Sequence, residues 1–192
     1  MLSNQSSVSS AQLAPTATDH CLLITFLSIG GGNSVNDYLL RILTDAGDLR
    51  AVMAHSTGLT REVATRHRAS PLATAALGYG LAGAALLGAL LKVQQRVVIK
   101  AAGNGPLGKL IAESDSYGHS RAYTGVPQLS STGPITSEYV AQAVGNDGFL
   151  TVVRDLGLEE PHQSTVPLQT GFLDADWPGF WLLWPGVCCP ES

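Results

Sequence analysis

Two short β-type runs, Tyr38 to Leu43 and Leu49 to Ala54, flank the tetrapeptide Asp45-Ala46-Gly47-Asp48. Gly and Asp supply the backbone freedom of a tight turn, so the stretch predicts a β-hairpin. The next run, LTREVATRHR at 59 to 68, predicts a charged helix with Thr60 as N-cap and Val63 and Ala64 facing inward. Then the polar residues stop. Ser70 to Leu91, SPLATAALGYGLAGAALLGALL, carries no charge before Lys92. Ser70 can cap this helix, and Pro71 suits its first position.

About 20 uncharged residues can cross a bilayer, and Gly80, Gly83, Ala84 and Gly88 would let helices approach closely. Ala and Gly, however, gain little from lipid compared with Leu, Ile or Phe. A central helix buried against a sheet accounts for the same pattern, because small side chains let strands pack close on every side. No membrane partner is expected. From Arg96 onward the pattern is again short and β-like: RVVIKAAG, GKLIAES, SRAYTG, YVAQAVG and GFLTVVRDL, divided by Gly-Asn-Gly, Asp-Ser-Tyr-Gly, a Pro/Ser/Gly loop at 127–134 and Asn146-Asp147-Gly148. These runs predict antiparallel meanders, and the fold class is α+β.

Residues 1–19 are rich in Ser, Ala, Thr and Gln and cannot bury enough apolar surface to offset ordering entropy. CLLITFLSIGGG at 21–32 has the apolar character of a signal-peptide core, yet no Lys or Arg precedes it. Residues 1–36 are therefore set apart as a disordered or targeting-like extension. The expected location is cytoplasmic, with a mitochondrion or plastid as the alternative if the extension is a transit peptide.

A chain of 192 residues has the length of one domain. Its formal charge of -4 leaves no electrostatic footprint for nucleic acid, and the local cluster Arg61, Arg66, His67 and Arg68 reads as a solvated helix face. Cys21, Cys188 and Cys189 form no C-x-x-C pair, and the five histidines show no metalloprotease spacing. Ser56, Ser70 and Ser164 lack a G-x-S-x-G elbow. No catalytic, cofactor-binding or metal-binding residue is assigned.

GNGPLGK at 103–109 is the one motif that raises a chemical question, since it satisfies both G-x-G-x-x-G and G-x-x-x-x-G-K. Both patterns need a helix after the glycines to present backbone N–H groups to phosphate. Here KLIAES gives way to a turn at Asp115-Ser116-Tyr117-Gly118, Leu110 stands where a Mg²⁺-binding hydroxyl belongs, and Pro106 has no N–H. The loop is expected to be a wide turn between antiparallel strands, with Gly103 and Gly105 at positive φ.

Taken together, DYLLRILTDAGDLRAV at 37–52, EVATRHRASPLATAALGYGLAGAALLGALLK at 62–92, VVIKAAGNGPLGKLIAESDSYGHSRAYTG at 97–125 and VGNDGFLTVVRDLGLEEPHQSTVPLQTG at 144–171 resemble the N-terminal domain of the redox-regulated 33 kDa chaperonin family. RH-x-x-SP-x-ATAALG, GNGPLG and VG-x-DGFL carry the resemblance. It implies antiparallel sheets in two layers around the Ala/Gly-rich central helix, ATP-independent holding of unfolded client proteins, and a homodimer on activation. Residues 37–171 are then the chaperonin-like domain.

Two departures stand out. Gly78-Tyr79 replaces a frequent Gly-Arg of the family. The ending FLDADWPGFWLLWPGVCCPES, 172–192, has neither the family's C-x-C nor its C-x-x-C zinc motif, and reads as an aberrant or truncated tail. The expectation is a holdase without the zinc redox switch and without a cofactor. Two rival readings remain: a nucleotide-binding enzyme using GNGPLGK, and a non-functional truncated product.

Overall fold

In the computed structural model the helix Pro71–Gly88 runs between two antiparallel sheets. The structure describes residues 22–28, 37–44, 50–131, 133–158, 160–173 and 176, with backbone pairing alone for 22–28. The three-stranded sheet has the order β1-β2-β3, with β1 Leu22–Ser28, β2 Tyr38–Thr44 and β3 Arg50–His55. Then come α1, Thr57–His67, and the central α2, Pro71–Gly88. The five-stranded sheet, in the order β6-β5-β4-β7-β8, is built from β4 Arg96–Gly103, β5 Lys109–Asp115, β6 Ser120–Thr124, β7 Gly148–Asp155 and β8 His162–Pro167. The third helix, α3 Ser137–Val144, links β6 to β7. This is the expected α+β arrangement of two layers around an Ala/Gly-rich helix.

Small residues explain how α2 fits there. Ala73, Ala76, Ala84 and Ala85 are fully enclosed, and a Cβ on Gly80 would sit 3.3 Å from that of Ala112 on β5. Leu77, Leu81 and Leu87 fill the spaces between, each worth about 1.5–3 kcal/mol on burial. Ser70 caps the helix as expected: its Oγ accepts from Ala73 N–H at 3.4 Å and from Leu129 N–H at 3.1 Å. α2 is long and apolar enough to span a bilayer, yet its surface is spent on both sheets and on α1 and α3.

Several expectations are corrected. YVAQAVG, read as a strand, lies in α3 and its cap, because Val140, Ala141, Ala143 and Val144 are buried at helical spacing and Gly145 ends the helix at φ +86°. Thr60 is not the N-cap of α1. Its hydroxyl donates to Ser56 O at 2.8 Å inside the helix, and the Asp37 carboxylate instead accepts from Gly58 N–H at 2.9 Å and Leu59 N–H at 2.5 Å. Positive φ falls on Gly108, not on Gly103 or Gly105.

Leu22–Ser28, inside the segment set apart as an extension, is a strand in register with β2, Leu22 opposite Thr44 and Ser28 opposite Tyr38. The boundary at Gly171 cuts through a folded feature. Leu173 and Asp176 are buried, and the Asp176 carboxylate accepts from Thr170 N–H at 3.1 Å, Thr170 Oγ1 at 2.9 Å and Gly171 N–H at 3.0 Å. The turn at 45–48 lies outside the described residues.

Candidate functional site: the outer face of the five-stranded sheet

Alternation along each strand gives this sheet two unlike faces. Val97, Ile99 and Ala101 of β4, Leu110 and Ala112 of β5, Ala122 of β6 and Leu150 and Val152 of β7 point at the helices and are buried. The opposite positions form cross-strand rows. Tyr123, Ile111, Lys100, Thr151 and Thr165 make one row, and Arg121, Glu113, Val98, Val153 and Gln163 the next. Phe149 lies in a third, opposite Ala102 and Pro167. At the β6 edge His67 of α1 meets the ring of Tyr123 edge-on, with 6.2 Å between ring centroids.

Apolar side chains there remain in water. Phe149 is 59% and Tyr123 50% exposed, while Ile111 beside Tyr123 and Val98 and Val153 in the next row are half-buried. An ion-pair strip crosses the face: Arg121 Nε and Nη2 donate to Glu113 Oε2 at 2.9 and 2.6 Å, and Arg96 Nη1 lies 3.9 Å from Glu113 Oε1. Apolar patches interrupted by charge suit contact with other proteins while keeping the isolated chain soluble. Sequence patterning did not single out this face.

The glycine loop proves to be packed instead. Gly105 N–H donates to Val144 O at 3.0 Å, Leu107 N–H to Ala143 O at 2.9 Å, and Gly108 N–H to Gly105 O at 3.2 Å. A Cβ at Gly103 or Gly105 would overlap the carbonyls of Val144 or Ala143, so glycine is required there by the close approach of the end of α3. Lys109 opens strand β5, not a helix. The N–H groups of Gly105, Leu107 and Gly108, which a phosphate cradle would use, already have acceptors.

The remaining chemistry-bearing residues are dispersed. Arg61, Arg66, His67 and Arg68 are all exposed on α1, with Arg66 paired to Glu62 at 2.5 Å, as a solvated helix face should be. His119 pairs with Asp115 at 2.8 Å, and His162 Nδ1 lies 3.1 Å from Arg154 Nη2. Burial lowers the proton affinity of the Arg154 guanidinium. Cys21, Cys188, Cys189 and His20 lie outside the described residues. Among the described residues no three His, Cys, Asp or Glu side chains gather as metal ligands.

Ser70 is a cap, Ser56 precedes α1, and Ser164 pairs with Val152 in the sheet. One arrangement escaped sequence reading: His55 Nε2 lies 3.4 Å from Thr57 Oγ1 and its Nδ1 3.4 Å from Asp37 Oδ1. It falls short of a catalytic triad. Nδ1 makes no hydrogen bond, and Asp37 is committed to the N–H groups of α1. Tyr79, where the family often has Arg, is half-buried against the core.

The Hsp33 protein family model matches residues 37–182, eleven residues past the Gly171 boundary drawn from the sequence. A 33 kDa chaperonin of Geobacter sp. (strain M21) is 42% identical over 142 residues, covering 74% of this chain and 48% of the relative. That of Geobacter sulfurreducens is 44% identical over 149 residues, covering 76% and 50%. The crystal structure of the 33 kDa chaperonin from Thermotoga maritima superposes with a TM-score of 0.69 at 32% identity, over 76% of this chain and 50% of that one. The chain spans about half the length of the relatives it matches. With the family model covering most of its residues and the same two-layer fold in a solved member, this chain belongs to the Hsp33 family.

Proposed function

We propose that the chain acts as a holdase, binding unfolded protein in the cytoplasm through the outer face of the five-stranded sheet, with no covalent chemistry and no ATP. The observation that carries this reading is the exposure of Phe149 and Tyr123 on a sheet whose other face packs against the helices. Family membership supports the chaperone class. A denaturing client exposes apolar surface, and removing such surface from water is worth about 25 cal/mol per Å². Burial of Phe149, Tyr123, Val98 and Val153 therefore favours capture without a fuel. The ion pairs around them tolerate varied sequences, because exposed pairs are weak and easily exchanged.

Light scattering from a heat-denaturing client tests the reading, using the full chain with and without ATP and reductant. Suppression of aggregation should be the same in all four conditions. The strands of this face contain no cysteine, and the glycine loop is packed against the end of α3. The double variant Tyr123→Ser and Phe149→Ser should keep its Tm and lose most of the suppression. Suppression that requires ATP would favour the nucleotide reading, and an unimpaired double variant would remove this face from the proposal.

A further inference from the structure

Two arginines occupy the inward side of the three-stranded sheet. Leu39, Arg41 and Leu43 share one face of β2, opposite Ala54, Val52 and Arg50 of β3. Leu39 is fully buried, and Val52 and Ala54 pack on the core, so this face looks toward α2. Arg41 and Arg50 therefore line a cleft of about 270 Å³, walled by Leu43, Val52 and the segment Ala89 to Leu91 just beyond α2.

Among the described residues nothing balances the charges in this cleft. Arg41 Nη2 donates to Ser116 O at 2.9 Å, but its Nε is enclosed without an acceptor, and so is the Oγ of buried Ser116. Among the described residues neither arginine has a carboxylate within ion-pair distance. Burial, and then the charge of Arg50, lowers the proton affinity of Arg41. The C-terminal end of α2 brings a dipole of about half a negative charge, too little to offset two guanidinium groups. Two neighbouring guanidinium groups beside apolar walls favour an anion, and guanidinium geometry favours a carboxylate.

We infer that the Arg41–Arg50 cleft is a binding site for a small organic carboxylate whose short apolar chain lies against Leu43, Val52 and Leu90. The volume bounds its size. At about 30 Å³ per water-sized group the cleft holds roughly nine such groups, which corresponds to a six-carbon monocarboxylate. The carboxylate lies between the guanidinium groups of Arg41 and Arg50, and the chain replaces water along the apolar wall. This site is separate from the proposed client face, since it lies in the other sheet.

Isothermal titration calorimetry on the full chain provides the test, with hexanoate as the probe, hexanamide as its uncharged counterpart and inorganic phosphate as an anion without the apolar chain. Hexanoate should bind saturably at one site and raise Tm with concentration, while hexanamide gives no heat and phosphate binds at least tenfold more weakly. Arg41→Gln and Arg50→Gln should each weaken hexanoate at least tenfold. Arg50 is exposed, so Arg50→Gln carries the test if Arg41→Gln fails to fold. Three results would overturn the site: no binding by the wild-type chain, binding unchanged in Arg50→Gln as adsorption on the client face would give, or a lower Tm in the variants with no hexanoate effect on the wild type. In that last case the arginines only neutralise the end of α2.

Discussion

The two faces of the five-stranded sheet are made by the same strands and the same turns, yet they obey different rules. On the inner face Ala112 and Ala122 are small because α2 lies directly above them, and Leu150 and Val152 fill what remains. Every atom there has a neighbour, so volume is dictated. On the outer face Phe149 and Tyr123 have solvent beside them, and the cross-strand partners Ala102 and Ile111 leave room for other side chains. One side of the sheet specifies the fold, and the other is free to specify contact. A binding surface that must accept many clients belongs on the side where no single shape is enforced.

Adjacent residues of β7 separate the two roles. Leu150 is 1% exposed, so Leu150→Ala should cost about 2–5 kcal/mol through lost transfer energy and the cavity left behind. Its neighbour Phe149 points the other way, and Phe149→Ser should change stability by no more than about 0.5 kcal/mol while reducing client capture. Urea unfolding of both variants, with the scattering assay run alongside, gives the comparison directly. If Phe149→Ser proves as destabilising as Leu150→Ala, the outer face is a structural surface and the division fails.

A smaller effect is expected where α2 meets the edge of the inner face. In a helix Ala is favoured over Gly by about 1 kcal/mol, so Gly88→Ala would be stabilising on propensity alone. Here the added Cβ would lie 2.6 Å from Asp115 O and 2.8 Å from Ser114 Oγ. The first of these is backbone held in β5 and cannot swing away. Overpacking of this kind costs about 1–3 kcal/mol, so the net effect should be a modest loss, measured as a lower Tm. A gain in Tm would show that α2 is less tightly seated than its small residues indicate.

The elements with local punctuation were legible in the sequence. α2 has its Ser70 cap and Pro71, and the β2–β3 hairpin and strands β4 to β7 are bounded by Gly, Asn and Asp turns, so their positions follow from neighbours in the chain. α3 was missed because eight residues mixing Tyr and Val with Ala satisfy either period. The contact of Val140 and Val144 with the core decides it, and the i, i+3, i+4 spacing of Val140, Ala143 and Val144 was the available signal. β8 does not stand out in the residue pattern because HQSTVP is a polar edge strand, and an edge buries little apolar surface. β1 carries an apolar run that serves a leader or a strand equally well until it is paired with β2.

The candidate face was the least legible part, for a different reason. Its residues come from five strands scattered over about 70 positions and alternate with core residues in each strand, so no contiguous stretch announces it. GNGPLGK had the opposite history. It is contiguous and motif-like, but Gly103 and Gly105 answer to the carbonyls of α3 and Gly108 to its positive φ.

The ion-pair strip on the outer face offers the smallest and most exacting test of the contrast. Arg121 donates twice to Glu113, a geometry that would be strong if enclosed. Arg121 is 76% exposed at its side chain, however, and water competes for both groups, so the coupling should fall near 0.2–1 kcal/mol. A double-mutant cycle on Glu113→Ala and Arg121→Ala, read by urea unfolding, isolates that term from whatever else each change does. The same cycle read by client capture should behave differently from one at an enclosed pair: removing the strip enlarges the apolar surface, so the double variant should hold clients at least as well as the wild type. A coupling well above 1 kcal/mol would mean that the pair is shielded from water, and therefore that this face is covered when the protein is folded in solution.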